Sequence, residues 1–314
     1  MAQTAVVQQG GKLALYWEFA RPFTLIAPAL GMLSGGVTAL GAHNDPVPIT
    51  AGLVARILSG TLMAAALNGA SNGINQIYDL NIDRVNKPRR PIPSGRMTVR
   101  EAGWVTLVLY LLAMALGALV NWQCFLLASI AAILTIVYSV PPARTKRFGA
   151  LANITIAIPR GMLLKVAGWS TVRSVIGDGE PWYIGLIFGG FLLGATTTKD
   201  FADMKGDAAD GCMTLPVRFG PRRAAWMIAP FFVLPFLLIP LGTWKGWLTG
   251  HPAFLYPLGV ILVLWGLYTV SLILKDPDEL ARTENHPSWG HMYKMMFTAQ
   301  VGFALSYLAV YWLR

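Results

Sequence analysis

Residues 57–83 read ILSGTLMAAALNGASNGINQIYDLNID, and this stretch decides what kind of molecule the chain is. From Ile57 to Tyr78 no residue is charged, and then Asp79 and Asp83 come within five positions. An α-helix needs about 20 mainly apolar residues to cross the hydrocarbon layer of a membrane. The run therefore predicts a transmembrane helix whose acids begin where it meets water. Asn75, Asp79 and Asp83 are spaced i, i+4, i+8, which aligns them in one stripe down a helix face.

The composition of the whole chain agrees with this reading. Of 314 residues, 13% are charged and 55% are AVILMFWYC, whereas a soluble domain carries about 25% charge. A soluble globular enzyme and a disordered chain are both excluded. Cys124 and Cys212 are the only cysteines; they make no disulfide framework and show no metal-ligand spacing. Residues 1–15 lack the apolar core and small-residue cleavage site of a signal peptide, so none is expected.

Charge-free runs recur at 22–44, 57–78, 102–143, 181–198, 224–244, 251–274 and 295–313, and a further run at 148–172 is broken only by Arg160 and Lys165. The run 102–143 has twice the needed length, and its polar waist Asn121-Trp122-Gln123 divides it into two spans. The expected fold class is all-α, a polytopic membrane protein of nine transmembrane helices. Counted by connection, 19 of the 25 Lys and Arg fall on the side of the N-terminus. The positive-inside rule then places the N-terminus in the cytoplasm and the C-terminus outside, in a multi-pass protein of the cell membrane. The net charge of +10 is thereby largely topological, and no nucleic-acid partner is expected.

A second acidic stripe lies in Lys199-Asp-Phe-Ala-Asp-Met-Lys-Gly-Asp207, where Asp200, Asp203 and Asp207 are spaced i, i+3, i+7. The two stripes close the second and sixth helices. A faint echo links the loops beyond them: Pro93 and Gly95 after Asp83, Pro216 and Gly220 after Asp207. This predicts two four-helix halves, about 16–143 and 148–274, with an extra helix at about 292–313. They form one domain over 1–314, around a central cavity with its site between the halves. Neighbouring acids repel, so each stripe needs counter-charge. Hard oxygen ligands from two helices are what Mg2+ takes when it also binds a diphosphate. Arg89, Arg90, Arg96, Lys146 and Lys199 share that side of the membrane and could neutralise phosphate oxygens. The plainer reading is solvated helix-end acids that balance loop cations.

NQIYDLNID followed by RVNKPRRPIPSGR, then YSVPPARTKRFGALAN, then KDFADMKGD, resembles the UbiA superfamily of intramembrane prenyltransferases over about residues 16 to 310. That family has nine transmembrane helices and two Asp-rich motifs, NDxxDxxxD and DxxxD. The resemblance implies that Asn75, Asp79 and Asp83, with Asp203 and Asp207, hold Mg2+ and the prenyl diphosphate; Asp79, Asp83, Asp203 and Asp207 are the implied catalytic acids. Asp200 joins the metal set through its place on the second stripe. Arg21, Lys87, Arg90, Tyr138, Lys146 and Asn153 resemble positions around the diphosphate, and Lys199 is placed with them by charge. Gln76 departs from the common family pattern, which has Asp there.

The implied reaction is ionisation of a prenyl diphosphate, geranylgeranyl or phytyl-like, and capture of the allylic cation by an acceptor. Arg160 and Lys165, inside a span beside Pro159, are candidates for binding an anionic acceptor. They could instead snorkel to the interface or pair with Glu18 or another acid. NQxxDxxxD and KDxxDxxGD look like homogentisate-type prenyltransferases, whereas NKPxRPIPSGR looks as much like chlorophyll synthases and archaeal glyceryl-phosphate prenyltransferases. The preferred acceptor is a small aromatic acid, homogentisate or hydroxybenzoate-like, for quinone or tocopherol-type products; chlorophyllide and a glyceryl phosphate are the alternatives. A secondary transporter is the competing class, but its acids belong near the midplane. His43, His251, His286 and His291 lack ligand spacing and receive no role.

Overall fold

A computed structural model of the chain describes residues 11–45, 47–283 and 286–313. The absence of a signal peptide is expected from residues 1–15, of which 1–10 lie outside the described residues. Among the described residues, eight helices are long and apolar enough to cross a membrane: Pro22–Asn44, Ala51–Tyr78, Val99–Val120, Trp122–Ser139, Ala150–Ser170, Pro221–Trp244, Pro252–Lys275 and Pro287–Trp312. Between the fifth and sixth of these runs Glu180–Ala195, whose 16 residues fall short alone; it continues through Thr196 into the helix Thr197–Ala209. With that extension it is the ninth member of the bundle. In chain order it is the sixth span.

Local chemistry sets the helix ends. Asn121 breaks the long third run as its polar character predicts: its side chain accepts from the Cys124 N–H at 2.8 Å and donates to the Ser170 carbonyl at 2.6 Å. Gln123 docks on the loop that follows the fifth span, accepting from the Val175 N–H. Thr98 caps the third span by accepting from the Glu101 N–H. The second span starts at Ala51 and the ninth at Pro287, six and eight residues before the charge-free runs do. Helix geometry tolerates the few polar residues there, and run-based reading does not. The glycines of the sequence echo, Gly95 and Gly220, both adopt positive φ (76° and 78°), the conformation glycine permits at turns.

Each span packs against the next in chain order, and the ninth closes the ring against the first. The fifth span also leans across to the first. That crossing needs glycine: a Cβ on Gly168 would lie 2.5 Å from the Met32 carbonyl oxygen, and one on Gly35 would lie 2.8 Å from that of Lys165. The contact closes the bundle toward the end opposite the acids, called the outer end only for its place away from them, and leaves a cavity open toward the acidic end. At the middle of the fifth span, Ile158–Leu163 forms a wider π-helical turn around Pro159, which cannot donate an N–H. Arg160 leaves the helix from this turn. Trp122, Trp244 and Trp312 are exposed at span ends, as an interfacial belt requires, whereas Trp182 is partly covered and donates to the Val175 carbonyl.

Candidate active site

The acidic stripes meet at the mouth of the cavity, which has a volume of about 210 Å³. Asn75, Asp79 and Asp83 descend one wall, from the end of the second span into the short helix Leu80–Asn86. Asp200, Asp203 and Asp207 descend the other, on Thr197–Ala209. Arg21, Arg90, Tyr138, Lys146, Arg160 and Lys199 complete the predicted residues that line it.

Lys146 stands between the stripes, its Nζ 2.6 Å from Asp79 Oδ2 and 3.5 Å from Asp207 Oδ1. Arg90 grips Asp83 with both carboxylate oxygens at 2.6 Å. Lys87 and Lys199 approach Asp203 at 3.7 and 3.8 Å. The counter-charge that the stripes require is thus supplied in place. Arg144, which the sequence offered only as a loop cation, bridges Asp79 at 3.1 Å and Asp210 at 2.8 Å. Asp210 belongs to the DAADG string, whose sequence gives it no role. What brings Arg144 and Lys146 inward is the pairing of their loop with the loop after the second stripe, where the Met213 N–H donates to the Arg147 carbonyl. Such a pairing of distant loops leaves no local signal.

Acids and cations interleave in the site, and burial disfavours the charged form of both. Burial, and then the repulsion of Asp203 and Asp79, push the Asp207 carboxyl up to about 6 against the pull of Lys146. Burial and Asp207 hold Asp200 well above the usual carboxylate range, and burial raises Asp83 as well, with Arg90 opposing. On the cationic side, enclosure in the protein and the neighbouring Arg21 lower Lys199 to about 8. Burial, with Arg90 and Arg160 close by, brings Arg21 down to about 10. The acids would be relieved by a dication and the cations by an anion. The donor set fits Mg2+: it is all oxygen, and Asn75 Oδ1, Asp203 Oδ1 and Asp207 Oδ1 are buried without a hydrogen-bond partner. Among the described residues no three acids gather into a preformed metal cluster, so the two walls offer separate ligand groups.

Five residues named for the site from the sequence lie elsewhere than the lining, and two of them, Arg89 and Arg96, are exposed at the surface. Asn153 is buried between helices, donating to the Leu193 carbonyl at 2.9 Å and the Thr197 hydroxyl at 2.5 Å, so it ties the fifth span to the sixth. Lys165 lies below the floor, its Nζ 2.9 Å from Ser34 Oγ and 4.2 Å from the centre of the Phe188 ring. Lys87 reaches Asp203 from outside the lining. Glu18 pairs with Arg96 at the surface, not with Arg160. Arg160 opens onto the lumen, with Ser71 Oγ at 3.5 Å as its hydrogen-bond partner. Gln76 points away from the cavity and donates to the carbonyls of Phe19 and Asn72 at 2.8 and 3.2 Å. The carboxylate it replaces would not have joined the lining.

Below the mouth the walls turn apolar, with Leu164, Leu192, Met292 and Met296, and the rings of Tyr138, Trp289 and Tyr293 face the space. A smaller side lobe of about 50 Å³ opens beyond Arg160 among Ala64, Ala128, Ala131 and Leu163. The polar junction of the two lobes, Asn68, Ser71 and Thr135, had no role in the sequence reading. The i, i+3, i+7 spacing of Asn68, Ser71 and Asn75 along the stripe's own helix face could have pointed to it.

The model of the UbiA prenyltransferase family matches residues 25–297. Digeranylgeranylglyceryl phosphate synthase of Thermococcus gammatolerans is 31% identical over 85% of this chain and 90% of its own length. Probable homogentisate phytyltransferase 2, chloroplastic, of Oryza sativa subsp. japonica is 34% identical over 67% of this chain, but the match spans only 57% of that protein. Among solved structures, a UbiA homologue from Archaeoglobus fulgidus bound to GPP and Mg2+ shares the fold with a TM-score of 0.67 at 20% identity, covering 92% of this chain and 99% of that one.

Proposed function

The chain belongs to the UbiA prenyltransferase family, and we propose that it transfers a prenyl group from a prenyl diphosphate to a small aromatic acid, with Mg2+ and with release of diphosphate. The observation that carries this reading is the pair of acidic walls at the mouth, with three buried oxygens that lack a hydrogen-bond partner and a set of cations between them. Asn75, Asp79, Asp83, Asp200, Asp203 and Asp207 would hold the metal. Bound there, Mg2+ would neutralise the charge that builds on the departing diphosphate.

The chain's own residues supply the rest. Lys146, Arg90, Lys199 and Arg21 line the mouth and can each take a phosphate oxygen; Lys87 would add its charge from behind Asp203. Tyr138, Trp289 and Tyr293 turn aromatic surface to the cavity, which suits an allylic cation. The allylic C–O bond breaks with its electron pair leaving on diphosphate. An acceptor carbon supplies the pair for the new bond, and its displaced proton leaves toward the mouth. The apolar lower walls and side lobe suit a geranylgeranyl or phytyl-like tail.

Arg160 supports an anionic acceptor, because it faces the lumen with a hydroxyl and no acid beside it. The likeness to a glyceryl phosphate synthase over 90% of that enzyme's length favours a second reading, the same chemistry on a glyceryl phosphate. A transporter is disfavoured, since the acids occupy one end of the cavity. We place the chain in the cell membrane as one domain, multi-pass among membrane lipid, with the N-terminus and the mouth cytoplasmic and the C-terminus outside. The test is a mass-spectrometric screen of purified protein with Mg2+ and several prenyl diphosphates against aromatic acids, chlorophyllide and glyceryl phosphates. Prenylated aromatic acid supports the reading; product from a glyceryl phosphate or chlorophyllide alone overturns the acceptor assignment.

A further inference from the structure

The two acidic walls touch directly at one point that involves none of the acids' side chains. Asn86 ends the short helix Leu80–Asn86, three residues after Asp83. Its Nδ2 donates to the backbone carbonyl of Asp203 at 3.1 Å. Its amide group also lies on Gly206, where an added Cβ would fall 2.4 Å from Nδ2, 2.6 Å from Cγ and 2.7 Å from Oδ1. Gly206 is helical, so no unusual backbone angle calls for glycine here. What calls for it is the room that the Asn86 amide occupies. The contact lies between Asp203 and the residue just before Asp207, and the Oδ1 atoms of these two acids are buried without a hydrogen-bond partner.

We propose that Asn86 and Gly206 act together as a spacer that sets the distance between the two metal-ligand walls, with Asn86 a positioning residue for the site. The inference rests on the Mg2+-diphosphate reading of the mouth. A carboxylate wall placed a fraction of an ångström too far out offers its oxygens at the wrong distance, because Mg2+ demands near-ideal geometry. Residues that only orient metal ligands typically change affinity by about tenfold to a hundredfold when removed. The spacer also makes a specific demand on paired substitutions. In G206A the new methyl group must displace the Asn86 amide from its hydrogen bond, so the variant loses both the contact and the spacing. In N86A the contact is lost and the room remains. With both changes, the methyl group enters the room that the amide has vacated.

The experiment compares wild type, N86A, G206A and the double variant in detergent, with N86L as a volume-preserving control that lacks the donor. Two readouts are taken. One is the shift of the thermal unfolding midpoint on adding Mg2+ with inorganic pyrophosphate, measured against the midpoint without them. The other is the Mg2+ concentration for half-maximal transfer, with KM for the acceptor alongside. The expected result is a rise of about tenfold in half-activating Mg2+ for N86A, N86L and G206A, a reduced Mg2+-pyrophosphate shift, an unchanged KM, and a double variant no worse than G206A. A wild-type protein that responds to Mg2+ and pyrophosphate, beside N86A and G206A variants that respond equally, overturns the spacer alone. So does a double variant whose loss is the product of the single losses. A wild-type protein that gains nothing from Mg2+ and pyrophosphate overturns the metal reading and the spacer with it.

Discussion

Buried carboxylates stand at both ends of this bundle, and they are treated in opposite ways. At the outer end Glu180 has every oxygen occupied by the chain itself. Its Oε1 accepts from the Thr249 N–H at 2.6 Å and from the Tyr307 hydroxyl, and its Oε2 accepts from the Thr249 hydroxyl at 3.0 Å and faces His43 Nδ1 at 3.4 Å. His43 turns its other nitrogen to Asp178 at 2.9 Å. This knot joins the ends of the first, sixth and ninth spans and the loop between the seventh and eighth. At the acidic mouth, Asn75 Oδ1 has no hydrogen-bond partner, and Asp203 Oδ1 and Asp207 Oδ1 have only lysine amines at 3.7 and 3.5 Å. A buried acceptor left open costs about 1–3 kcal/mol. A fold that fully satisfies one carboxylate with neutral donors, and gives others only cations that a ligand can draw away, leaves the latter available to something that arrives from outside.

The largest expected effect separates turnover from stability at the mouth. Asp79→Ala or Asp207→Ala is expected to lower transfer by about a thousandfold, read as diphosphate release at saturating Mg2+. The fold should persist, because without Asp79 Arg144 keeps Asp210 and Lys146 keeps Asp207. Turnover that survives either change would mean that the two ends of the bundle do not differ in kind.

Glu180→Ala tests the same contrast from the other side. It leaves a tyrosine hydroxyl, a backbone N–H and a histidine without their shared partner, at a cost of about 3 kcal/mol. The thermal midpoint should fall, while kcat of the protein that remains folded should stay within about twofold of wild type, since the outer knot touches no cavity residue. A selective loss of kcat at unchanged midpoint would make the outer end part of the chemistry.

These two ends also show what could be read from the sequence. The spans were legible because crossing a membrane demands long charge-free runs, and the stripes because i, i+3, i+4 and i+7 spacing is a property of one helix. Glu180 was not legible: its partners lie 69 and 127 residues away in Thr249 and Tyr307, and at the start of a span it reads as an ordinary boundary charge. His286, which the sequence places in a loop without a role, is buried and caps the ninth span through the Ser288 N–H. Arg144 and Asp210 needed two loops to meet. Lys165 groups with Arg160 in the sequence, although residues five apart in a helix point about 140° away from each other. That spacing alone argued against a shared site, and the π-helical turn at 158–163 turns Arg160 into the lumen while Lys165 faces the first span.

That separation gives the next prediction. Arg160→Ala should raise KM for an anionic acceptor by about tenfold to a hundredfold, because a charged donor facing the lumen is removed. Lys165→Met should change the same constant by less than about twofold, since its amine is satisfied below the floor by Ser34 and Phe188. Equal rises in both variants would join the two cations in one acceptor site after all.

The smallest effect concerns Gln76, where the common family pattern has Asp. An acid beside Asn75 in sequence looks like a further metal ligand, but one residue along a helix is a turn of about 100°. The Gln76 side chain accordingly leaves the lumen and donates to the Phe19 and Asn72 carbonyls. Gln76→Asp would face those carbonyls with an acceptor instead of a donor and cost on the order of 1 kcal/mol of stability. The half-activating Mg2+ concentration should not fall. If it falls, the acidic end recruits carboxylates that do not face the cavity, and a place in the lining no longer identifies the ligands.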